Sequence, residues 1–196
     1  MTVVISAVVE GHGDRESVGV LVRRLADQVR PGLVPSVPSP LRVPKDRLIR
    51  SGELERTVAL AARKVTGQGG VLVLVDADDD APCVLGPDLQ QRAQATPPDV
   101  PVAVVLARRE YESWFLAAAE SLATRRGLVA SLGAPPRPEE VRGAKEWLGD
   151  RMEGSRRYKE TLDQPALTAV FDIGMARHRS DSFDKCCREI TRLLGA

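Results

Sequence analysis

Two short acidic motifs contain the residue types best suited to chemistry. Glu10 begins the motif Glu10-Gly11-His12-Gly13-Asp14, and a second motif, Asp76-Ala77-Asp78, lies further along the chain. Each follows directly on a hydrophobic run. Mg²⁺ prefers oxygen ligands and keeps several waters, so two or three carboxylates are enough to hold it. The motifs therefore predict a magnesium site with Glu10, Asp76 and Asp78 as ligands, provided that the fold brings them together.

Buried parallel strands would bring the two motifs together. Segments 2–9 and 70–75 are continuous apolar runs rich in β-branched residues, which is typical of strands buried on both faces of a parallel sheet. Such strands lie about 5 Å apart and end at one edge of the sheet. Asp76 and Asp78 would also point to the same side if the strand continued through them.

The remaining pattern alternates helix and strand and then becomes helical. Helices are predicted at 14–29, 51–66, 85–95 and 110–126, and further strands at 101–106 and at 33–37 or 41–43. Ser51 is the expected N-cap of the second helix. After the proline-rich break near Pro135, helices are predicted at 139–152, 165–170 and 184–194, with no further strand.

These elements predict an α/β fold with a Rossmann-like parallel sheet of about four strands flanked by helices. We expect residues 1–130 to form this α/β domain and residues 131–196 to form a helical extension packed on the same core.

Four more residues are candidate members of the site. Asp14 fits either a helix N-cap or a ligand, and Asp80 would begin the turn after the second strand. Glu112 follows the strand predicted at 101–106 and would add an acid from a third strand end. His12 could assist proton transfer, although histidines in turns are commonly just exposed.

A simpler interpretation of the acidic motifs stays open. Segment 76–80 could be a solvated turn, and Glu10 could cap its own glycine turn. Their joint occurrence at two predicted strand ends favours the metal site, because a parallel sheet brings such ends together.

Basic residues near the predicted strand ends could contact phosphate. Arg108 and Arg109 follow the third predicted buried strand, and Lys159 lies in a basic stretch further on. Solvated surface positions are the alternative for all three. The large aromatic residues Trp114 and Phe115 lie among apolar neighbours, so we assign them to the core.

The overall composition excludes some classes of protein. There are 28 Lys and Arg against 27 Asp and Glu, so the net charge of +1 argues against a strongly basic nucleic-acid coat. Three cysteines without C-x-x-C spacing suggest neither a disulfide framework nor a zinc site. The apolar runs are far shorter than the roughly 20 residues that span a bilayer. We therefore expect a cytoplasmic protein without a membrane partner.

The motifs resemble a known pattern. Val8-Val9-Glu10-Gly11-His12-Gly13-Asp14, followed by a hydrophobic run and Asp76-x-Asp78, resembles the Toprim pattern of topoisomerases, bacterial primases and OLD-type nucleases. The whole chain resembles a bacterial Toprim-like family, the domain of unknown function numbered 4276. The stretches that carry this likeness are Glu110 to Leu116, Ala144 to Leu148, Tyr158 to Thr161 with Asp163-Gln164, and Ser182 to Lys185.

The resemblance implies a function. Glu10 would correspond to the Toprim glutamate, a general acid or base in strand breakage or joining, and Asp76 and Asp78 to the metal-binding pair. No tyrosine nucleophile domain, primase zinc module or ATPase accompanies this part, which leaves hydrolysis. The expectation is a nuclease that uses Mg²⁺ or Mn²⁺ on nucleic acid, in anti-phage defence with an ATPase on a separate chain.

Two other functions remain open, as does a homo-oligomer. A non-catalytic Toprim-like scaffold would bind an ATPase or nucleic acid. An acidic-pocket phosphatase or phosphotransfer protein ranks last, because its nucleophilic aspartate would follow the first strand, where this chain has Glu10.

Overall fold

The centre of the fold is a sheet of four parallel strands. In the computed structural model, which describes residues 2–96 and 99–195, the strands are β1 (Val3–Val9), β2 (Leu41–Arg42), β3 (Gln68–Asp76) and β4 (Val102–Ala107). Their order across the sheet is β2-β1-β3-β4. Every residue of β1 and β4 is buried, as expected for continuous apolar strands in a parallel sheet.

The strand order places a switch point between β1 and β3. The chain passes from β1 to one side of the sheet to form β2 and then crosses to β3 and β4 on the other side. In open α/β sheets, ligands bind beyond the carboxyl ends of the strands at such a point. Val9 pairs with Leu74, so β3 extends past the end of β1. Glu10, which follows β1, and Asp76, the last residue of β3, thus lie at the expected ligand-binding edge.

Helices cover both faces of the sheet. They are α1 (His12–Val29), α2 (Lys45–Leu48), α3 (Glu53–Ala62), α4 (Pro82–Gln94), α5 (Ser113–Ala117), α6 (Ala144–Gly149), α7 (Glu160–Thr168), α8 (Ile173–Arg179) and α9 (Asp181–Leu193). Successive strand residues point to opposite faces, and two hydrophobic clusters result. One joins the sheet to α1 and to the helices from α5 onward. The other joins it to α2, α3 and α4.

The helices after residue 131 share the main core. Leu148, Leu167 and Phe183 are buried in the same cluster as Val18 and Leu21 of α1. Helix α7 packs along α1, and α9 packs along β4. None of the helices in the described part of the chain is long and apolar enough to cross a membrane.

The predicted fold class is confirmed, but several local predictions are wrong. The helix predicted at 110–126 is only the five residues of α5, followed by short 3₁₀ turns. The Ser121 hydroxyl donates to the Ala118 carbonyl at 2.6 Å, and Thr124 and Arg126 have positive φ angles. A side chain that bonds its own backbone competes in this way with a continuing helix.

Glycines account for two further differences. Ser51 is not an N-cap, because Gly52 precedes α3 with φ 81°. The helix predicted at 139–152 is reduced to a 3₁₀ turn and α6, and Gly143, with φ 69°, lies immediately before α6. Glycine adopts such left-handed conformations without the steric cost of a Cβ. The second strand is the two-residue β2 at the edge of the sheet, and Ser36 forms an isolated bridge to Val4.

Candidate functional site

Four carboxylates surround the switch point of the sheet. Glu10 follows β1, Asp14 lies in the first turn of α1, Asp76 is the last residue of β3, and Glu112 immediately precedes α5. We call these four residues the inner carboxylate cluster. Asp14, Glu112 and Glu10 each exert a repulsive electrostatic effect on Asp76. The cluster therefore gathers negative charge from three strand ends in one place.

Asp76 lies at the centre of the inner carboxylate cluster. Its Oδ1 accepts a hydrogen bond of 2.9 Å from the backbone N–H of Tyr111. Part of the residue is exposed, but the carboxylate itself is deeply surrounded, and this burial raises its pKa well above the usual value. The charges of Asp14 and Glu112 raise the pKa further, whereas the positive charge of Lys145 lowers it. Asp76 would gain most from a nearby cation.

Glu112 is fully buried and only half satisfied. Its Oε1 accepts a 2.8 Å hydrogen bond from the Tyr158 hydroxyl. Its Oε2 is buried and has no hydrogen-bond partner among the described residues. Burial raises the pKa of Glu112 to about 7, against the opposing effects of Lys145 and Tyr158. Such an orphaned oxygen in a buried carboxylate points toward a missing ligand.

The glycine turn after β1 holds Asp14. Asp14 Oδ2 accepts from the Gly11 N–H at 2.8 Å, and its Oδ1 accepts from Gln164 Nε2 at 2.7 Å. Asp14 thus fixes the start of α1 while it stays within the cluster. A Cβ on Gly13 would lie 1.9 Å from Gln164 Oε1, so close packing of α7 requires a glycine there. The Gly13 N–H donates to Glu160 Oε1 at 2.9 Å.

Lys145 is the cation that faces the cluster. Its Nζ lies 3.3 Å from Glu160 Oε2. Burial alone would lower the pKa of Lys145, but the carboxylates of Glu112, Asp76 and Glu160 raise it overall. The sequence did not predict a role in the site for Lys145, Tyr158, Glu160 or Gln164. Their only signal was their position in stretches that resemble the family, because no local spacing marks them.

Glu10 occupies the rim of the inner carboxylate cluster. Its Oε2 is buried without a hydrogen-bond partner in the described part of the chain. Burial, and then the negative charge of Asp78, raise its pKa. A carboxylate with a raised pKa is better suited to proton transfer near neutral pH. The catalytic role of Glu10 stays a prediction.

The second acidic motif splits into two parts. The strand ends at Asp76, and Asp78 has a left-handed backbone with φ 50°, so the expectation that both side chains share a direction is wrong. Lys45 Nζ lies 2.9 Å from Asp78 Oδ2 and 2.9 Å from Asp80 Oδ2. It also donates to the Ala77 carbonyl at 2.6 Å. We call Asp78, Asp79 and Asp80 the outer acidic turn.

The remaining candidate residues lie outside the cluster. Arg109 pairs with Asp79 at 2.8 Å, and Asp79 also pairs with Arg142. Arg108 is exposed, and His12 is exposed at the start of α1. Lys159 is exposed too, and its backbone N–H donates to Asp163. Of the three predicted phosphate contacts, Arg109 and Arg108 are therefore paired with carboxylates, Arg108 with Glu140 at 4.0 Å, whereas Lys159 faces solvent.

A family model covers nearly the whole chain. The model of a domain of unknown function, DUF4276, matches residues 9–191. The chain belongs to this family. No curated protein and no solved structure matches it significantly. The matched range of this DUF4276 protein contains every residue of the inner carboxylate cluster.

The inner carboxylate cluster has the donor chemistry for a divalent cation. Within residues 2–96 and 99–195, no three His, Cys, Asp or Glu side chains are already grouped closely enough to hold a metal ion. Two buried carboxylate oxygens, Glu10 Oε2 and Glu112 Oε2, nevertheless lack partners there. Oxygen donors are what Mg²⁺ and Mn²⁺ select. In this DUF4276 protein, the fit is therefore better around Asp76, Glu10 and Glu112 than around the Asp76–Asp78 pair.

Proposed function

We propose that this protein is a Mg²⁺- or Mn²⁺-dependent phosphodiester hydrolase, and specifically a nuclease. The observation that supports the proposal is the inner carboxylate cluster at the switch point of the sheet. Its like charges are crowded and two of its buried oxygens are unpaired. Ordinary structural carboxylates are paired or hydrogen-bonded when buried, so this arrangement is better explained by a site for a cation.

Each residue of the cluster would have a separate task. Asp76, with Glu10 and Glu112, would hold the ion, which when bound stabilises negative charge on a phosphate oxygen. The Tyr111 N–H orients Asp76, and the Tyr158 hydroxyl orients Glu112. The Lys145 ammonium would offer a positive charge to the phosphate.

As the alternative to holding the ion, Glu10 would exchange a proton at its own carboxylate. Its raised pKa brings protonated and ionised forms closer in population at neutral pH. This assignment agrees with the relationship to Toprim proteins that we propose from Glu10-Gly11-His12-Gly13-Asp14 and Asp76-x-Asp78. In that relationship Asp78 would also bind metal, but here it would first have to leave Lys45.

A cleavage and metal-binding panel tests the function. Single-stranded and double-stranded DNA and RNA are incubated with Mg²⁺ or Mn²⁺ and either the wild type or Asp76→Asn. We expect Asp76→Asn to lose at least about 100-fold in activity, because even residues that merely orient a metal ligand are worth 10–100-fold. Asp79→Asn is the matched control, since Asp79 is exposed and paired with Arg109 and Arg142.

Two results would contradict the proposal. One is the absence of Mg²⁺ and Mn²⁺ binding by the wild type in calorimetry. The other is divalent-dependent cleavage that survives Asp76→Asn, which would locate the activity elsewhere in the chain.

One observation favours a second function. Lys45 already satisfies Asp78 and Asp80, which suits a Toprim-like scaffold that binds nucleic acid or an ATPase on a separate chain without catalysis. In that case Asp76→Asn would leave partner binding and the biological role, including any role in anti-phage defence, unchanged.

A further inference from the structure

The segment just before α7 alternates between the site and the surface. Tyr158 donates to Glu112, and Glu160 pairs with Lys145. Between and before them, Arg157 and Lys159 are exposed. The backbone of Lys159 is extended, and extended residues point alternately to opposite sides. One short stretch therefore forms a wall of the inner carboxylate cluster with one face and presents two cations with the other.

A buried carboxylate fixes this segment in place. Asp163 is almost fully buried, and its Oδ1 accepts from both Arg126 and Arg156, while its Oδ2 accepts from the Lys159 N–H. One negative charge is thus shared by two half-exposed guanidinium groups. Asp163 thus holds the segment in place, and the group of Asp163, Arg126 and Arg156 keeps a net positive charge.

The exposed cations of the segment lack carboxylate partners. Other arginines are paired with carboxylates, such as Arg109 with Asp79 and Arg179 with Glu120. In the described part of the chain, Arg157 donates only to a backbone carbonyl, and the Lys159 ammonium forms no ion pair. Together with Arg126 and Arg156, we call these residues the basic rim.

The basic rim borders an open pocket that continues toward Lys145. A pocket of about 420 Å³ is lined by Ser155, Arg156, Arg157, Lys159, Leu162 and Asp163. Arg157 also lines the adjacent pocket of about 370 Å³, which contains Lys145 and Tyr158 of the site. Glu146 and Asp150 lie in that second pocket as well, so positive charge prevails on the rim and not along the whole path.

We propose that the basic rim binds the phosphate backbone of the nucleic-acid substrate and leads it to the inner carboxylate cluster. Side chains two residues apart on an extended backbone are separated by about 6.6 Å, a spacing comparable to that of neighbouring phosphates on one strand. Arg157 and Lys159 would contact such phosphates, and Arg126 and Arg156 would add to the attraction. This inference rests on the proposed function, because it supplies the substrate path for that same site.

The test measures nucleic-acid binding separately from cleavage. Fluorescein-labelled 20-nucleotide DNA, single-stranded and duplex, is titrated in EDTA between 50 and 200 mM KCl, and anisotropy is recorded for the full chain. For R157Q/K159Q we expect affinity for single strands to fall about tenfold, and the slope of log K against log salt to fall by about 1.4, which corresponds to two lost phosphate contacts.

Two further variants control for charge and folding. R23Q/R63Q removes the same charge from two exposed arginines, and Arg63 follows α3 at the opposite edge of the sheet. It should change affinity less than twofold. R157K/K159R keeps the charges and should bind as the wild type does. The thermal unfolding midpoints of all three variants should equal that of the wild type, since every substituted side chain is exposed.

The outcomes separate the two proposals. Weakened binding by R157Q/K159Q without cleavage by any variant supports the basic rim and counts against the nuclease. Unchanged binding by R157Q/K159Q, or failure of the wild type to bind either DNA at 50 mM KCl, overturns the rim even if the protein cleaves in Mg²⁺. Weakened binding together with Mg²⁺-dependent cleavage by the wild type supports both.

Discussion

The inner carboxylate cluster and the outer acidic turn lie at the same edge of the sheet but differ in how their charge is compensated. In the outer turn, Lys45 binds Asp78 and Asp80, while Asp79 pairs with Arg109 and Arg142. Its acids are also exposed. In the inner cluster, the Lys145 ammonium faces the buried carboxylates of Asp76 and Glu112, and Lys45 acts on Glu10 at the rim. Although the outer acidic turn has more acidic residues close together in the sequence, the uncompensated negative charge lies in the inner carboxylate cluster.

The difference teaches that the count of acidic residues is a poor guide to a metal site. Exposed carboxylates are stabilised by water and by nearby arginines, so the turn needs no further cation. Buried carboxylates lose hydration and repel one another strongly. A cation site is therefore expected where buried carboxylates have too few positive charges beside them, which is around Asp76 and Glu112.

Removing the Lys145 ammonium should change the stability of the protein more than Glu112→Gln or Lys45→Met does, because it leaves the buried carboxylates of the inner carboxylate cluster without that positive charge. We expect Lys145→Met to lower the free energy of unfolding by about 2–3 kcal/mol at pH 8, less than the 3–5 kcal/mol typical of a broken buried pair, because solvent screens a partly exposed side chain. The Lys145 side chain is 37% exposed. Urea unfolding in EDTA measures the change.

The effect of Lys145→Met should shrink at pH 5 and in Mg²⁺. At low pH the carboxylates with raised pKa values take up protons, and in Mg²⁺ the ion replaces the lost charge. Lys64→Met, which removes a lysine bound only to the Ser39 carbonyl, is the control. Equal losses for the two variants would mean that the cluster does not depend on Lys145.

Glu112→Gln should raise the free energy of unfolding, which is the opposite of the effect of Lys145→Met. Burial raises the pKa of Glu112 from 4.5 to about 7, so the folded state binds more protons than the unfolded state between these values, and the wild type loses stability as pH rises through this window. At pH 8 this cost is about 3 kcal/mol. We expect a gain of about 2 kcal/mol for Glu112→Gln, since the new buried amide costs about 1 kcal/mol.

The gain should follow the pH window. Below pH 4.5 only the cost of the buried amide remains, so the variant should be about 1 kcal/mol less stable than the wild type there. The difference should change to the full gain by about pH 7 and stay constant above, as measured by urea unfolding in EDTA. Glu146→Gln, at an exposed position of α6, should show no such profile. A Glu112→Gln variant that is less stable than the wild type at pH 8 would mean that the buried carboxylate is already compensated.

Lys45→Met should change the stability least, and it tests whether the outer acidic turn differs from the inner carboxylate cluster in its need for a cation. Lys45 is buried, but Asp78 and Asp80 are 61% and 53% exposed in their side chains, so water can take over their solvation. We expect a loss of about 1–2 kcal/mol, mainly from the lost hydrogen bonds of Lys45, since the Asp80 N–H still donates to the Ala77 carbonyl at 2.9 Å. The variant should also gain divalent-ion affinity at the outer turn, seen as additional Mn²⁺ bound in calorimetry. Unchanged Mn²⁺ stoichiometry would show that the turn has no latent cation site.

The sequence predicted the sheet well because buried parallel strands leave a plain signal. The continuous apolar runs of β1, β3 and β4 identified these strands, and parallel topology alone placed Glu10 and Asp76 at one edge. Glu112 was also expected from a third strand end, and the structure brings it to the cluster. These predictions depend only on strand direction and order.

What the sequence did not predict depends on contacts across the fold. The left-handed backbone of Asp78 ends the strand alternation two residues after Asp76, and no residue type in the sequence predicted it. Tyr158 and Glu160 reach the cluster because α7 docks on α1, and Lys145 reaches it on α6, which packs on α5. The segment after Glu110 appeared amphipathic, but residues 111–119 are all buried, so its apolar spacing carried no information on where the helix ends.

The contact between the glycine turn and α7 has a consequence for the newly made chain. Gln164 and Glu160 hold Asp14 and Gly13 across sequence separations of 150 and 147 residues. Contacts so distant along the chain form late, because a long loop must close before they can contribute. The strands and α1 are synthesised first, yet they lack this clasp until α7 emerges and docks. A chain made only as far as α6 would thus carry its acids without their final arrangement, and chemistry at the cluster would wait until α7 has been made and has docked.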